Sequence, residues 1–225
     1  MQQFSPGQII AGGCLLAFGA SYLNTGFILQ TGTSVSHMTG DISRIASGLS
    51  SLNSGHLQNL IHVLVATLGF IGGATLSGFL LHHPTLEIKM PYGRILSSLG
   101  LSLILAHFLY PFSSTIAIAI ASAVCGTQNA LASRYRGIVL RTTHLTGLFT
   151  DLGIHIGMRL RGHAIESWKI RIPIYIALSF LAGALVSSLL QLQHATHWIL
   201  FAGIAYFIGG VCWSIYKRTG RRPNQ

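Results

Sequence analysis

Apolar residues run along this chain in long, almost unbroken blocks, with the polar residues gathered between them. A bilayer core of ~30 Å takes about 20 apolar residues per helix. Six blocks approach or exceed that length, at 7–30, 57–81, 93–110, 114–133, 172–192 and 198–216, and each predicts a transmembrane helix. A short turn at Pro111 separates the third from the fourth; Pro84 and Pro91 mark other boundaries. Pro173 is expected in the first turn of the fifth helix, where a missing N–H goes unnoticed. Trp168, Trp198, Trp213, Tyr110 and Tyr216 fall near block ends, where amphipathic rings prefer to sit. The opening MQQFSPG lacks a basic n-region and the block after it is too long for a signal peptide, so that block is expected to be the first span.

Composition agrees. Half the residues are hydrophobic and 8% are charged, against about 25% in soluble domains. The expectation is a single transmembrane domain over 1–225, ending in a short basic tail at 217–225. The net charge of +10 matters through its placement. Six spans put both termini on one side together with loops 82–92 and 134–171, and that side holds thirteen of the 14 Lys and Arg residues, leaving Arg44 alone opposite. This bias predicts cytoplasmic termini. Counting 34–49 and 138–158 as further spans would reduce it to about eight against five, so six spans plus two special segments fit better. The basic loop and tail read as topology signals and contacts for anionic lipids. Nucleic acid is not an expected partner, since no aromatic interleaving or recognition motif accompanies the charges. Cys14, Cys125 and Cys212 lie inside apolar blocks at no disulfide or metal spacing and read as small buried hydrophobes.

The two halves repeat. Asn24 matches Asn129 and Gly32 matches Gly137 at an offset of 105; Ser36-His37-Met38-Thr39-Gly40 matches Thr143-His144-Leu145-Thr146-Gly147 at 107; FIGGATLS from Phe70 matches FLAGALVS from Phe180 at 110. Gly69, Gly73 and Ser77, like Ser179, Gly183 and Ser187, form ridges of small residues that let membrane helices approach closely. Three spans per half is an odd number, so the second half must enter the membrane from the other side. The fold class expected is an all-α integral membrane protein, six transmembrane helices in a 3+3 inverted-topology repeat with two broken or re-entrant half-helices. Repeat 1 covers about 7–112 and repeat 2 about 113–217.

The candidate chemistry sits in the two repeated polar words, SVSHMTGDISRI from Ser34 and RTTHLTGLFTDLG from Arg141. Thr39 and Thr146 are expected to cap short helices, Gly40 and Gly147 to permit a sharp bend and close backbone approach, and Asp41 to sit in a first turn, paired with Arg44. Irregular backbone at membrane depth needs protein or a wet cavity around it. The candidate substrate-binding residues are therefore His37, Thr39, Gly40, Asp41, His144, Thr146 and Gly147, with Asn24, Asn129 and Asp151 supporting. His37 and His144 are the matched titratable pair. Asp151 is expected to pair with a cytoplasmic arginine, whereas His62, His107 and His155 read as satisfied structural histidines. No metal spacing, nucleophile elbow, phosphate loop or HExxH is present, so neither a metal, a cofactor nor an enzyme is expected.

Asn24 with Gly32 and His37-Met38-Thr39-Gly40-Asp41, then Gln128-Asn129-Ala130 and Thr142-Thr143-His144-Leu145-Thr146-Gly147, resemble the YoaK-like family of small bacterial membrane proteins, catalogued as a domain of unknown function (1275). The resemblance runs from about Gly7 to Trp213. Thr39-Gly40-Asp41 stands where the family usually reads Thr-Gly-Asn, and Ala20-Ser21-Tyr22-Leu23-Asn24-Thr25 is looser than its usual Gly-x-x-Asp-Ala. The resemblance implies six spans in a bacterial inner membrane and supplies no substrate. Three functions compete: a small secondary transporter for a small solute or ion, a passive channel of aquaporin-like architecture without Asn-Pro-Ala motifs, and a non-transporting scaffold or assembly protein. Small transporters often work as dimers, and a homodimer is one arrangement the sequence leaves open.

Overall fold

A computed structural model describes residues 5–48, 54–81, 90–131, 142–193 and 196–219. Lys89, Arg134, Arg136, Arg141, Pro84, Gly137 and the end of the basic tail lie outside the described residues. The described residues form eight helices: α1 Pro6–Thr31, α2 Met38–Gly48, α3 Ser54–Leu81, α4 Tyr92–Leu109, α5 Ser114–Leu131, α6 Leu145–Leu160, α7 Ser167–Leu192 and α8 Trp198–Thr219. No strand occurs among them.

Six helices, all but α2 and α6, are long and apolar enough to cross a membrane. Large apolar side chains such as Leu15, Leu68, Phe79, Phe108 and Leu192 stand exposed on their outer faces. Water would not tolerate so broad an apolar surface, but lipid does. This is the architecture of a multi-pass membrane protein. Ser5 starts α1 with a capping box, its hydroxyl accepting from the Gln8 N–H while the Gln8 side chain accepts from the Ser5 N–H. Ser167 begins α7 several residues earlier than expected, leaving Pro173 buried inside the helix rather than in its first turn. The helix therefore lacks one interior N–H donor there.

Three close crossings build the core. Gly69 and Gly73 of α3 face the Ala119 and Ala123 carbonyls of α5. Gly183 of α7 faces the Phe18 carbonyl of α1, and Ser179 Oγ donates to Cys14 O at 2.7 Å. In both crossings the residue numbers rise together, so each pair of helices runs parallel. The glycines of α4 and α8 meet as Gly93 with Gly210 and Gly100 with Gly203. There the numbers run oppositely, making the pair antiparallel. An eight-span path would have α4 and α8 cross in the same direction; a six-span path makes them oppose. At 1.5 Å per residue, the 11 residues of α2 and 16 of α6 extend only about 16 and 24 Å, short of a ~30 Å core.

Candidate functional site

The first polar word begins at the end of α1. Gly32 takes φ 70°, ψ 3°, and its N–H closes the helix onto Ile28 O at 2.9 Å. This left-handed turn reverses the chain. Residues 33–37 then fold back along α1, where a single oxygen gathers them: Asn24 Oδ1 accepts from Ser34 Oγ at 2.7 Å, Val35 N at 3.0 Å and Ser36 N at 3.1 Å. Ser34 Oγ in turn accepts from His37 N at 2.7 Å.

Asp41 closes the word. Its Oδ2 accepts from Ser34 N and its Oδ1 from Arg44, at 2.7 and 2.8 Å. Arg44 also donates to Gly32 O at 2.5 Å. The expected ion pair is present and joins the turn to the helix. Burial raises the Asp41 carboxyl above its ordinary range, opposed by the Ser34 N–H and the Arg44 charge.

This stitching sets depth. The Thr67 hydroxyl of α3 lies 3.5 Å from Met38 Sδ, and the His37 ring meets Phe180 of α7 edge-on, 5.3 Å between centroids. Thr67 and Phe180 each lie thirteen residues beyond the first residue of their helices (67 − 54 and 180 − 167), close to the middle of both. Thus α2 starts at the level where its neighbours are half-way through.

The second word uses the same hinge more sparingly. Thr143 Oγ1 donates to Asn129 Oδ1 at 3.1 Å. Thr142 and Thr143 are buried, and α6 follows with His144 at its N-cap. A side chain on Gly147 would bring Cβ to 2.8 Å from His144 Nδ1, so the missing side chain leaves room for that ring. His37, outside the six spans, is shifted below the ordinary histidine range by burial, and the His144 charge shifts it further. His144 itself is exposed.

Other expectations need correction. Helices start at Met38 and Leu145, which places Thr39 and Thr146 inside the first turn rather than at the cap. Their carbonyls accept from Ser43 Oγ and Thr150 Oγ1. Both threonines are exposed. Gly40 has open space where a Cβ would stand and does not have a positive φ; Gly32 makes the bend instead. Asp151 has no ion-pair partner among the described residues. His107 meets His197, nitrogen to nitrogen, at 3.3 Å, but among the described residues buried His62 has no partner for either ring nitrogen, and His155 none for Nδ1. The structure thus joins Asn24, His37 and Asp41 in one cluster, whereas His144 lies beside Gly147 and is exposed. Thr39, Gly40, Thr146 and Asp151 remain outside.

Two residues deserved a place among the candidates. Ser34 links Asn24, Asp41 and His37, yet its repeat counterpart at an offset of 107 is Arg141, so matching passes over it. Gln128, completely buried in α5, donates to Leu16 O of α1 at 2.7 Å and accepts from the Tyr206 hydroxyl of α8. Its signal was already legible: like Asn24 and Asn129, it is an amide offering donors and an acceptor in or near an apolar span. Tyr206 and Thr142 also line a mainly apolar cavity of about 670 Å³ between α1, α4, α7 and α8.

A family model described as "Protein of unknown function (DUF1275)" matches residues 12–212. The chain belongs to that family. No curated protein and no solved structure matches it. The matched segment includes both polar words and all three close crossings, so the DUF1275 match spans the whole candidate site.

On this geometry Gly32→Ala is expected to destabilise the protein by about 1–2 kcal/mol, the cost of a left-handed non-glycine residue. Gly40→Ala is expected to cost less than about 0.5 kcal/mol, as at an ordinary exposed position. Unfolding curves of the two variants in detergent would check this; equal losses would mean that the bend is not at Gly32.

Proposed function

We propose that this DUF1275 protein is a small secondary-transporter-like permease of a bacterial inner membrane, with cytoplasmic termini and no enzymatic chemistry. In this reading two three-span halves, inserted in opposite senses, hold a small solute or ion between the SHMTG and THLTG segments near the bilayer midplane. The observation that carries it is the position of His37: the folded-back segment ahead of a half-length helix holds its ring against Phe180, at mid-height of α7. Transporters with inverted repeats place their sites at such interrupted helices.

Matched contacts support the turned-over repeat. Asn24 takes Ser36 N as Asn129 takes Thr143 Oγ1, at offsets of 105 and 107. The Gly73–Ala123 crossing corresponds to Gly183–Phe18, and Gly69–Ala119 to Ser179–Cys14, at offsets of 110 and 105. The Gly93–Gly210 crossing exchanges with Gly203–Gly100 at 110. The mainly apolar cavity of about 670 Å³ draws walls from both halves but includes neither His37 nor His144, and is a feature separate from this site.

The test is a thermal-shift screen of the purified protein against small solutes and ions from pH 5 to 8, beside a folded His37→Gln/His144→Gln variant. At least one solute should stabilise the native protein, and the variant should lose most of that shift. Flux of the same solute into proteoliposomes should saturate and follow an ion gradient. Linear, gradient-blind flux would favour a channel. A variant that keeps every ligand shift would remove the histidines from the site.

A further inference from the structure

The α4–α8 crossing has two ends, and they differ chemically. At one end a cavity of about 380 Å³ opens between Arg94, Ser97, Ser98 and Leu101 of α4 and Val211, Ser214, Ile215 and Arg218 of α8. Arg94 lies in the first turn of α4 and Arg218 in the last turn of α8, so both sit at the membrane boundary. No acidic side chain lines the cavity, and neither arginine has an ion-pair partner among the described residues. Deeper in, Leu101, Val211 and Ile215 form an exposed apolar track along the two spans.

The other end supplies an internal comparison. At the offset of 110 that relates Gly93 to Gly203 and Gly100 to Gly210, Arg94 becomes Ile204, Ser97 becomes Phe207, Ser98 becomes Ile208, Ser214 becomes Ile104 and Arg218 becomes Phe108. The same crossing, turned over, carries apolar side chains at every polar position. A general preference for positive charge on one side accounts for arginines there. It does not account for three serines replacing Phe and Ile in the same pocket.

We propose that this pocket is a binding site for one anionic glycerophospholipid. Its phosphate would lie between the Arg94 and Arg218 guanidinium groups, which offer planar forks of N–H donors matched to phosphate oxygens. Ser98 Oγ and Ser214 Oγ already donate to Ile95 O and Gly210 O, at 2.7 and 2.9 Å, so toward a ligand they act only as acceptors, and Ser214 Oγ also packs against Gly93. The hydroxyls of a glycerol headgroup are the complementary donors. An acyl chain then follows Leu101, Val211 and Ile215 into the bilayer. Basic pockets between membrane helices are recognised lipid headgroup sites. The site borrows the turned-over repeat but does not depend on the transport reading.

The test is native mass spectrometry of the full-length protein released from detergent, with phosphatidylglycerol and phosphatidylcholine of identical acyl chains added at equal concentration. The native protein should retain one phosphatidylglycerol in preference to phosphatidylcholine. Arg94→Gln/Arg218→Gln should weaken that binding about tenfold to thirtyfold, from roughly one surface-charge contribution per arginine. Arg159→Gln/Arg161→Gln, equal in charge and outside the pocket, should leave it within about twofold. Leu101→Trp, which fills the apolar track without altering charge, should also lower it. Equal losses in the two arginine pairs would reduce the effect to bulk charge and overturn the site. Equal retention of phosphatidylcholine would overturn it too, as would displacement of the lipid by soluble glycerol phosphate at matched concentration, which would make it a phosphate site. Unaltered solute shifts in Arg94→Gln/Arg218→Gln would keep this result separate from the His37–His144 test.

Discussion

Asn24→Ala is expected to lose about 3–5 kcal/mol of stability, more than any single truncation within the polar words themselves. The Asn24 side chain is buried, and its one carbonyl oxygen accepts from the Ser34 hydroxyl and the Val35 and Ser36 amides. Removing it strands the Ser34 hydroxyl and the Val35 N–H and leaves the Ser36 N–H only its 3.4 Å bond to Ser34 Oγ, and each unsatisfied buried donor costs about 1–3 kcal/mol. Part of the sum returns as the loop relaxes. Asn129→Ala, in the matching place, removes one bond to a threonine hydroxyl. It is expected to cost about 1 kcal/mol. Thermal and denaturant unfolding in one detergent would compare them. If the two asparagines cost the same, the folded-back segment is not held by Asn24. The Asn24 variant should also lose solute binding with His37 itself intact, because the network that holds the imidazole at mid-height has been cut.

Gly73→Ala is expected to cost about 3 kcal/mol or more, the upper end of what overpacking does. A Cβ on Gly73 would overlap the Ala123 carbonyl oxygen, and backbone cannot rotate away as a side chain can. The α3–α5 crossing would have to open along its length. Gly183→Ala, overlapping the Phe18 carbonyl, should behave alike in the α1–α7 crossing. The neighbouring Gly72 is the control: a Cβ there meets open space. Gly72→Ala should shift stability by no more than about 1 kcal/mol, in either direction, since alanine is the better helix former. Measured in one detergent, equal effects at Gly72 and Gly73 would mean that α3 presents a different face to α5.

The small-residue ridges of α3 and α7 were legible because four-residue spacing is a local pattern, but their partners were not. Gly93, Gly100, Gly203 and Gly210 escaped notice for the converse reason: spaced by seven residues and scattered among apolar neighbours, they acquire meaning only when two distant helices cross. The polar words announced themselves through repetition. Repetition singles out Thr39 and Gly40, whereas in the fold the unrepeated Ser34 carries the contacts. Capping and bending depend on which residue first takes helical geometry. Here that residue comes just after each histidine.

By itself the sequence determined the six membrane-crossing blocks, the membership in DUF1275 and the pairing of the two words. These follow from composition, segment length and repetition, which are properties of the chain read in order. Tertiary structure alone decided that Gly32 makes the bend, that Asn24 gathers the segment behind it, and that His37 comes to stand at mid-height against Phe180. Hydrogen bonds and charges act over a few ångströms in space. No spacing along the chain states which groups folding will bring within that reach.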